Sequence, residues 1–171
     1  MTDRKSILLI DDDDSLRRVV EYQLREEGYD VTTASAGPEG LHLFQDRPVD
    51  LVLTDVRMPE MDGLDVLARL KAMQPDLPVV LLTAHGTISS AVAAMKLGAF
   101  DYLTKPFDRD RLRATVRKAL DMAALATENR QLRQVIAERF SFASMIAGSR
   151  AMRAVTDTAA RVAQTDTTAS R

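Results

Sequence analysis

A chain of 171 residues, 46% hydrophobic and 28% charged, can bury one ordinary core and part of a second. It has no cysteine, which excludes a disulfide framework and a thiolate metal centre. Its one early apolar run, Ile7 to Ile10, is too short for a signal sequence or a membrane span and runs into four aspartates, so a soluble cytoplasmic protein with no membrane partner is expected. The net charge of −2 hides an acidic first part, with 10 Lys and Arg against 18 Asp and Glu in residues 1–104; residues 140–171 carry 4 against 2, and residues 105–139 carry 9 against 5, spread along a helical pattern rather than clustered with aromatics, which favours a solvated helix face over direct DNA binding.

Ser6 to Ile10 has strand length, and Asp14 or Ser15 after it is a good N-cap for Leu16, Val19, Val20 and Leu24 at helical spacing. Gly28 ends that helix. Asp30 to Ala34 is a short β-branched strand, and Gly37-Pro38-Glu39 opens a helix that Arg47-Pro48 closes. Leu51 to Thr54 is an apolar strand that breaks at a lone Asp55, followed by a loop with Met58-Pro59 and Asp62-Gly63. A third helix begins near Gly63 with Leu64, Val66, Leu67 and Leu70 inward. Past Pro75 to Pro78, the run Val79 to Leu82 suits a strand buried on both faces and ends at Thr83-Ala84-His85-Gly86. An Ala-rich helix follows from about Ile88 to Leu97, capped by Gly98. Phe100 to Leu103 is the last strand, and a helix starts near Asp108. Five strand-helix alternations predict an α/β fold: a doubly wound parallel sheet with right-handed crossovers, covered on both faces.

The last helix outruns its sheet-packing face. Leu112, Val116, Ala119, Leu120 and Ala123 suit the sheet, whereas Met122, Leu125, Asn129, Leu132 and Ile136 have heptad spacing. Residues 1–121 are therefore read as one domain and residues 122–140 as a linker helix that pairs in a parallel coiled coil, with Asn129 fixing register. Beyond Phe140-Ser141-Phe142 the character changes. Gly148-Ser149 is expected to start a helix carrying Met152, Val155, Ala159 and Val162 on one side, and Thr165-Asp166-Thr167-Thr168 to start a strand. Residues 141–171 are read as the opening of a further domain.

In an open parallel sheet, ligands sit at the carboxyl ends of the strands. Asp11 to Asp14, Asp55, Thr83 and Thr104-Lys105-Pro106 all fall there. Crowded carboxylates repel, and a hard divalent cation among them relieves the repulsion. Mg2+ held by Asp12, Asp55, the Arg57 backbone carbonyl and, through water, Asp11 would satisfy that need. Asp55 could then attack a phosphoryl donor as nucleophile, with Lys105 pairing one oxygen and the Thr83 hydroxyl another. Asp13 and Asp14 read as cap or turn residues, Tyr102 as a half-buried core aromatic, and His42 and His85 show no ligand spacing.

Together, Leu9-Ile10-Asp11-Asp12-Asp13, Thr54-Asp55-Val56-Arg57-Met58-Pro59, Asp62-Gly63, Leu82-Thr83-Ala84 and Tyr102-Leu103-Thr104-Lys105-Pro106-Phe107 resemble a bacterial response-regulator receiver domain over residues 5 to about 121. The resemblance implies a flavodoxin-like five-stranded sheet of order 2-1-3-4-5. It implies that Asp55 is the phosphoacceptor, Asp11 and Asp12 hold Mg2+, Thr83 and Tyr102 are the switch pair, and Lys105 binds the phosphate. A sensor histidine kinase is the implied donor. Phosphorylation is implied to remodel the face of the fourth helix, fifth strand and fifth helix, through which, with the linker helix, a homodimer forms.

The stretch Met145-Ile146-Ala147-Gly148-Ser149 with Met152, Val155 and Val162-Ala163-Gln164-Thr165-Asp166 is similar to the opening of the AAA+ domain of NtrC-type activators of sigma-54 RNA polymerase. Ala84-His85-Gly86 suits that group. No Walker A loop or helix-turn-helix signal is present. The expected unit is therefore regulatory rather than enzymatic: it accepts and slowly loses a phosphoryl group, and meets polymerase only through an output domain. A rival pattern is the Asp-x-Asp-x-Ser/Thr motif of haloacid-dehalogenase-type phosphatases, with Asp11 as nucleophile and Asp13 as general acid. It leaves the Asp55 to Pro59 loop unexplained.

Overall fold

The computed structural model describes residues 4–84, 86 and 88–165, with side chains described for all of these except 88, 140–147 and 159–165. Among them, strands β1 (Ser6–Ile10), β2 (Asp30–Ala34), β3 (Leu51–Asp55), β4 (Val79–Thr83) and β5 (Asp101–Thr104) alternate with helices α1 (Asp14–Glu26), α2 (Gly37–Asp46), α3 (Gly63–Met73), α4 (Ile88–Lys96) and α5 (Arg109–Thr165). All pairings are parallel, in the order β2-β1-β3-β4-β5. The chain winds outward from β1 in both directions, so the crevice beyond the carboxyl ends of β1 and β3 is the topological switch point. Register pairs Ile10 with Thr54, Asp55 with Leu82 and Thr83 with Thr104, which places Asp11, Asp55, Thr83 and Lys105 at neighbouring strand ends.

Two cores follow from the period-two alternation of strand side chains. On one face Ile7, Leu9, Leu51, Leu53, Val80, Leu82 and Leu103 pack against Val20 and Leu24 of α1 and Leu112, Val116, Ala119 and Leu120 of α5. On the other, Leu8, Ile10, Val52, Val79 and Leu81 pack against Leu41 of α2, Val66, Leu67 and Leu70 of α3 and Ala94 of α4. Each fully buried Leu or Ile contributes about 1.5–3 kcal/mol. The sheet is therefore a stiff platform from which the strand-end residues project.

Local chemistry sets where the helices begin. α1 is capped by Asp13, not by Asp14 or Ser15: the Asp13 backbone is extended, and its carboxylate accepts from the amides of Ser15 and Leu16 at 2.9 and 3.1 Å. Asp14 then falls in the first turn, where the helix dipole favours an acid. Asp62 caps α3 by accepting from Asp65 N at 2.8 Å, and Asp108 serves α5 by accepting from Arg111 N at 2.7 Å. Gly28 and Gly98, after α1 and α4, both have φ of +90°, which glycine adopts freely. β5 lies one residue later than the apolar pattern suggests, because the Phe100 side chain is recruited to the first core and its amide caps the Val79 carbonyl at 2.8 Å.

The chain forms two compact units, Met1–Leu125 and Ala126–Arg171. The first holds the sheet and both cores. In the second, the backbone is helical as far as Thr165, and Leu132, Val135, Ile136, Met152 and Val155 are each about half or more exposed. The expected fresh helix start at Gly148-Ser149 is absent, since the helix runs through both positions; its neighbours Ala147, Arg150, Ala151 and Met152 are strong helix formers, which offset the cost of about 1 kcal/mol for one internal glycine. His85 and Asp166 to Thr168 lie outside the described residues, as do the side chains of Phe140, Phe142, Ala159 and Val162. Among the described residues, no helix is long and apolar enough to cross a membrane.

Candidate functional site

Asp11 follows the last residue of β1 and is fully buried, and every polar group it has is engaged. Its amide donates to the Ala34 carbonyl at 3.1 Å, extending the β1–β2 ladder by one residue. One carboxylate oxygen accepts from Asp13 N at 2.9 Å, the other from Lys105 Nζ at 2.7 Å, and its carbonyl accepts from Arg17 Nη1 at 2.6 Å. Asp55 ends β3 and is 6% exposed, with its Oδ1 3.2 Å from Lys105 Nζ. Asp12 is exposed at the mouth. One carboxylate oxygen from each of Asp11, Asp12 and Asp55 lies within 4.8 Å of the others.

Lys105 is set by β5: its amide donates to the Thr83 carbonyl at 2.6 Å, so strand pairing carries the side chain back over the acids. Burial opposes its charge, but the hydrogen bond to Asp11 and the charges of Asp11 and Asp55 outweigh that and hold its pKa above the usual lysine value. Burial is also the main influence on Asp55. With the repulsion of Asp11 and Asp12 it overrides the attraction of Lys105 and raises the Asp55 pKa above the ordinary carboxylate value. Three carboxylates thus face one ammonium, leaving the cluster short of positive charge. All-oxygen donors, with Asp12 open to water, suit a hard divalent cation that keeps part of its hydration shell, so the residues present fit Mg2+.

The loop after β3 folds tightly onto Asp55. Gly63 N donates to the Val56 carbonyl at 2.8 Å, and a Cβ at Gly63 would stand 2.2 Å from the Asp55 carbonyl oxygen. Glu60, in the same loop, has φ of +68°. Arg57 lies two residues beyond Asp55, exposed at the mouth. Thr83 ends β4 and is buried. Tyr102 sits on β5, half-buried, with its hydroxyl 3.1 Å from Ser90 Oγ of α4. Gly86 leaves room for that ring, since a Cβ there would lie 3.2 Å from Tyr102 Cε1.

Of the strand-end residues expected from the sequence, Asp11, Asp12, Asp55 and Lys105 touch or nearly touch; Thr83 ends the neighbouring strand β4, and Tyr102 on β5 reaches Ser90 of α4. His42 lies away from them on α2, with Nε2 3.5 Å from Asp46. Asp13, the general acid of the rival reading, spends its carboxylate on capping α1. Two residues not singled out from the sequence join the set, Arg17 and Ser90. The Asp14-to-Arg17 spacing of one helical turn is a signal for the first; nothing in the sequence points to the second.

The family model of the response regulator receiver domain matches residues 7–117. Among curated proteins, the chain is 47% identical over 124 residues to the transcriptional regulatory protein GlrR of Escherichia coli (strain K12), covering 72% of this chain and 28% of that protein. It is 37% identical over 163 residues to the regulatory protein AtoC of the same strain, covering 95% of this chain and 35% of AtoC. The chain thus spans about a third of the length of these relatives. Among solved structures, a response regulator receiver domain protein from Clostridium thermocellum superposes with a TM-score of 0.69 at 36% identity, over 71% of this chain and 98% of that one.

Proposed function

The chain belongs to the response regulator receiver domain family, and from that membership we propose that Asp55 accepts a phosphoryl group from a sensor histidine kinase and that this changes how two copies of the protein pair. The observation that carries the reading is the meeting of Asp11, Asp12 and Asp55 within 4.8 Å, with Lys105 Nζ 3.2 Å from Asp55. Mg2+ would be held by the carboxylates of Asp11, Asp12 and Asp55 and the backbone carbonyl of Arg57. When bound it neutralises charge on the transferring oxygens.

Asp55 does the covalent work. Its carboxylate oxygen attacks the phosphorus of a phosphohistidine, and the phosphorus–nitrogen bond breaks with its electron pair staying on the imidazole. Lys105 is already drawn to this point and pairs with one phosphoryl oxygen, exchanging a carboxylate partner for a more highly charged one. The Thr83 hydroxyl, at the adjacent strand end, accepts the role of donor to another. Tyr102 follows Thr83, and its hydroxyl link to Ser90 carries the shift to α4.

The receiving surface is α4, β5 and α5, where Val92 and Met95 of α4, Leu97 just past it and Met122 of α5 are about half exposed. The linker seam of Leu125, Leu132 and Ile136 is also exposed and offers a second pairing surface. From the likeness of residues 145–166 to NtrC-type activators, the controlled activity is that of a sigma-54-dependent transcription-activating ATPase. Intact mass after incubation with acetyl phosphate and Mg2+ tests the chemistry. One phosphoryl group is expected on the unsubstituted protein and none on Asp55→Asn or after chelation; modification of Asp11, or none at all, overturns the assignment. Molar mass with and without beryllium fluoride, a phosphoryl mimic, tests the pairing, and an unchanged mass with unchanged amide exchange in α4 overturns it.

A further inference from the structure

Arg17 lies on the first turns of α1, yet its side chain is only 15% exposed. One guanidinium nitrogen donates to the Asp11 carbonyl at 2.6 Å, and another pairs with the Asp14 carboxylate. The fork therefore bridges the end of β1 and the start of α1, spanning Asp12 and Asp13. An exposed ion pair one turn apart on a helix would be a surface decoration. A charged donor turned inward onto a backbone carbonyl is a stronger and more directional contact.

That carbonyl belongs to the peptide unit joining Asp11 to Asp12. Its oxygen and the Asp12 amide share one plane, so fixing the oxygen fixes the N–Cα bond about which the Asp12 side chain is placed. The other groups of Asp11 are held separately: the amide by Ala34, one carboxylate oxygen by the Asp13 amide, the other by Lys105. Arg17 is thus the side chain that ties this one peptide plane to α1.

We propose that Arg17 is a positioning residue that orients the Asp11–Asp12 peptide so that both carboxylates face a divalent cation, and thereby sets cation affinity without touching the ion. The proposal rests on the reading of Asp11, Asp12 and Asp55 as a cation site. Two effects of removing Arg17 oppose each other: orientation is lost, which weakens binding, and a positive charge near the acids is lost, which strengthens it. Pairing Arg17→Met with Asp14→Asn keeps the local net charge unchanged and isolates the first effect.

The experiment is a titration of the full chain with Mn2+, a paramagnetic stand-in for Mg2+, followed by electron paramagnetic resonance at a temperature where every protein is folded by circular dichroism. The charge-balanced double variant is expected to bind Mn2+ about tenfold more weakly than the unsubstituted protein, as is usual when a partner of a metal ligand is removed. Asp14→Asn alone is expected to stay within about threefold of it. Equal affinity of the double variant and the unsubstituted protein overturns the proposal. If the double variant does not fold, Arg17→Lys decides, since it keeps the charge but cannot bridge both partners: weaker binding supports the proposal and equal binding overturns it. Failure of the unsubstituted protein to bind Mn2+, or binding unaffected by Asp55→Asn, overturns instead the cation site on which it rests.

Discussion

Gly63 and Lys105 show how narrowly single positions are specified. A methyl group at Gly63 would press on the Asp55 carbonyl oxygen at 2.2 Å, a backbone atom that cannot swing aside, so relief requires moving Asp55 itself. Gly63→Ala is expected to cost about 1–3 kcal/mol in denaturant unfolding and to slow phosphoryl uptake from acetyl phosphate. Lys105 is the ammonium that balances Asp11 and Asp55. Replacing it with Met leaves two buried carboxylates without their cation and is expected to cost about 3 kcal/mol, most of it recovered on adding millimolar Mg2+; a loss that Mg2+ does not recover would separate stability from cation binding. Asp11, Asp55, Thr83 and Lys105 were legible because each follows an apolar run of strand length, a local pattern. The demand for glycine at 63 was legible only as a helix start, because the clash arises from a chain reversal that only the folded loop creates.

Between single residues and the sheet lie the element ends, where caps decide boundaries that hydrophobic periodicity leaves open. The α1 cap fell one residue before the positions that spacing favours, since Asp13 alone combines an extended backbone with a side chain aimed at the first-turn amides. Asp13→Ala is expected to lower stability by about 1 kcal/mol. At α2, where the N-cap Ala36 offers no side-chain acceptor, Glu39 reaches back to accept from the amide and hydroxyl of Ser35 at 2.7 and 2.8 Å, a link that local spacing did not disclose. Those bonds, the amide first, hold the Glu39 pKa below its ordinary value. A depressed folded-state pKa contributes stability that is present above the unfolded pKa and lost as pH falls through the folded one. Glu39→Gln is therefore expected to be less stable by under about 1 kcal/mol at pH 7, the side chain being largely exposed, and the gap to close below the ordinary glutamate range. Thermal midpoints of both proteins from pH 3 to 7 check this. Gly148 makes the opposite case: nothing lies within 4 Å of an added Cβ, so Gly148→Ala is expected to raise helix content and not to disturb packing.

The two compact units differ in what holds them. Residues 1–125 contain both cores, whereas the second unit keeps Leu132, Val135 and Ile136 in solvent. An apolar seam of that kind is the pattern that a second copy would cover. Leu132→Asn combined with Ile136→Asn is expected to lower the molar mass measured by light scattering at micromolar concentration while leaving phosphoryl uptake by Asp55 intact; unchanged mass would assign any pairing to the α4–β5–α5 face alone. Five alternating strand and helix patterns sufficed to read the sheet, because the inner strands β1, β3 and β4, buried on both faces, are written as nearly unbroken apolar runs, and the edge strands β2 and β5 follow from the alternation. The long final helix was legible up to its seam. Past residue 140 the patterns weaken, and local signals such as Gly148-Ser149 no longer report what the backbone does.

The hydrogen bond from Lys105 to Asp11 spans 94 positions of sequence. A ribosome releases Asp11 and Asp55 well before Lys105, and the loop that brings the lysine home closes only when the edge strand β5 is added. An unfinished chain therefore holds its acids without the ammonium that balances them. The cluster's charge balance is therefore complete only with the last strand, so one contact closes both the sheet and the site at its edge.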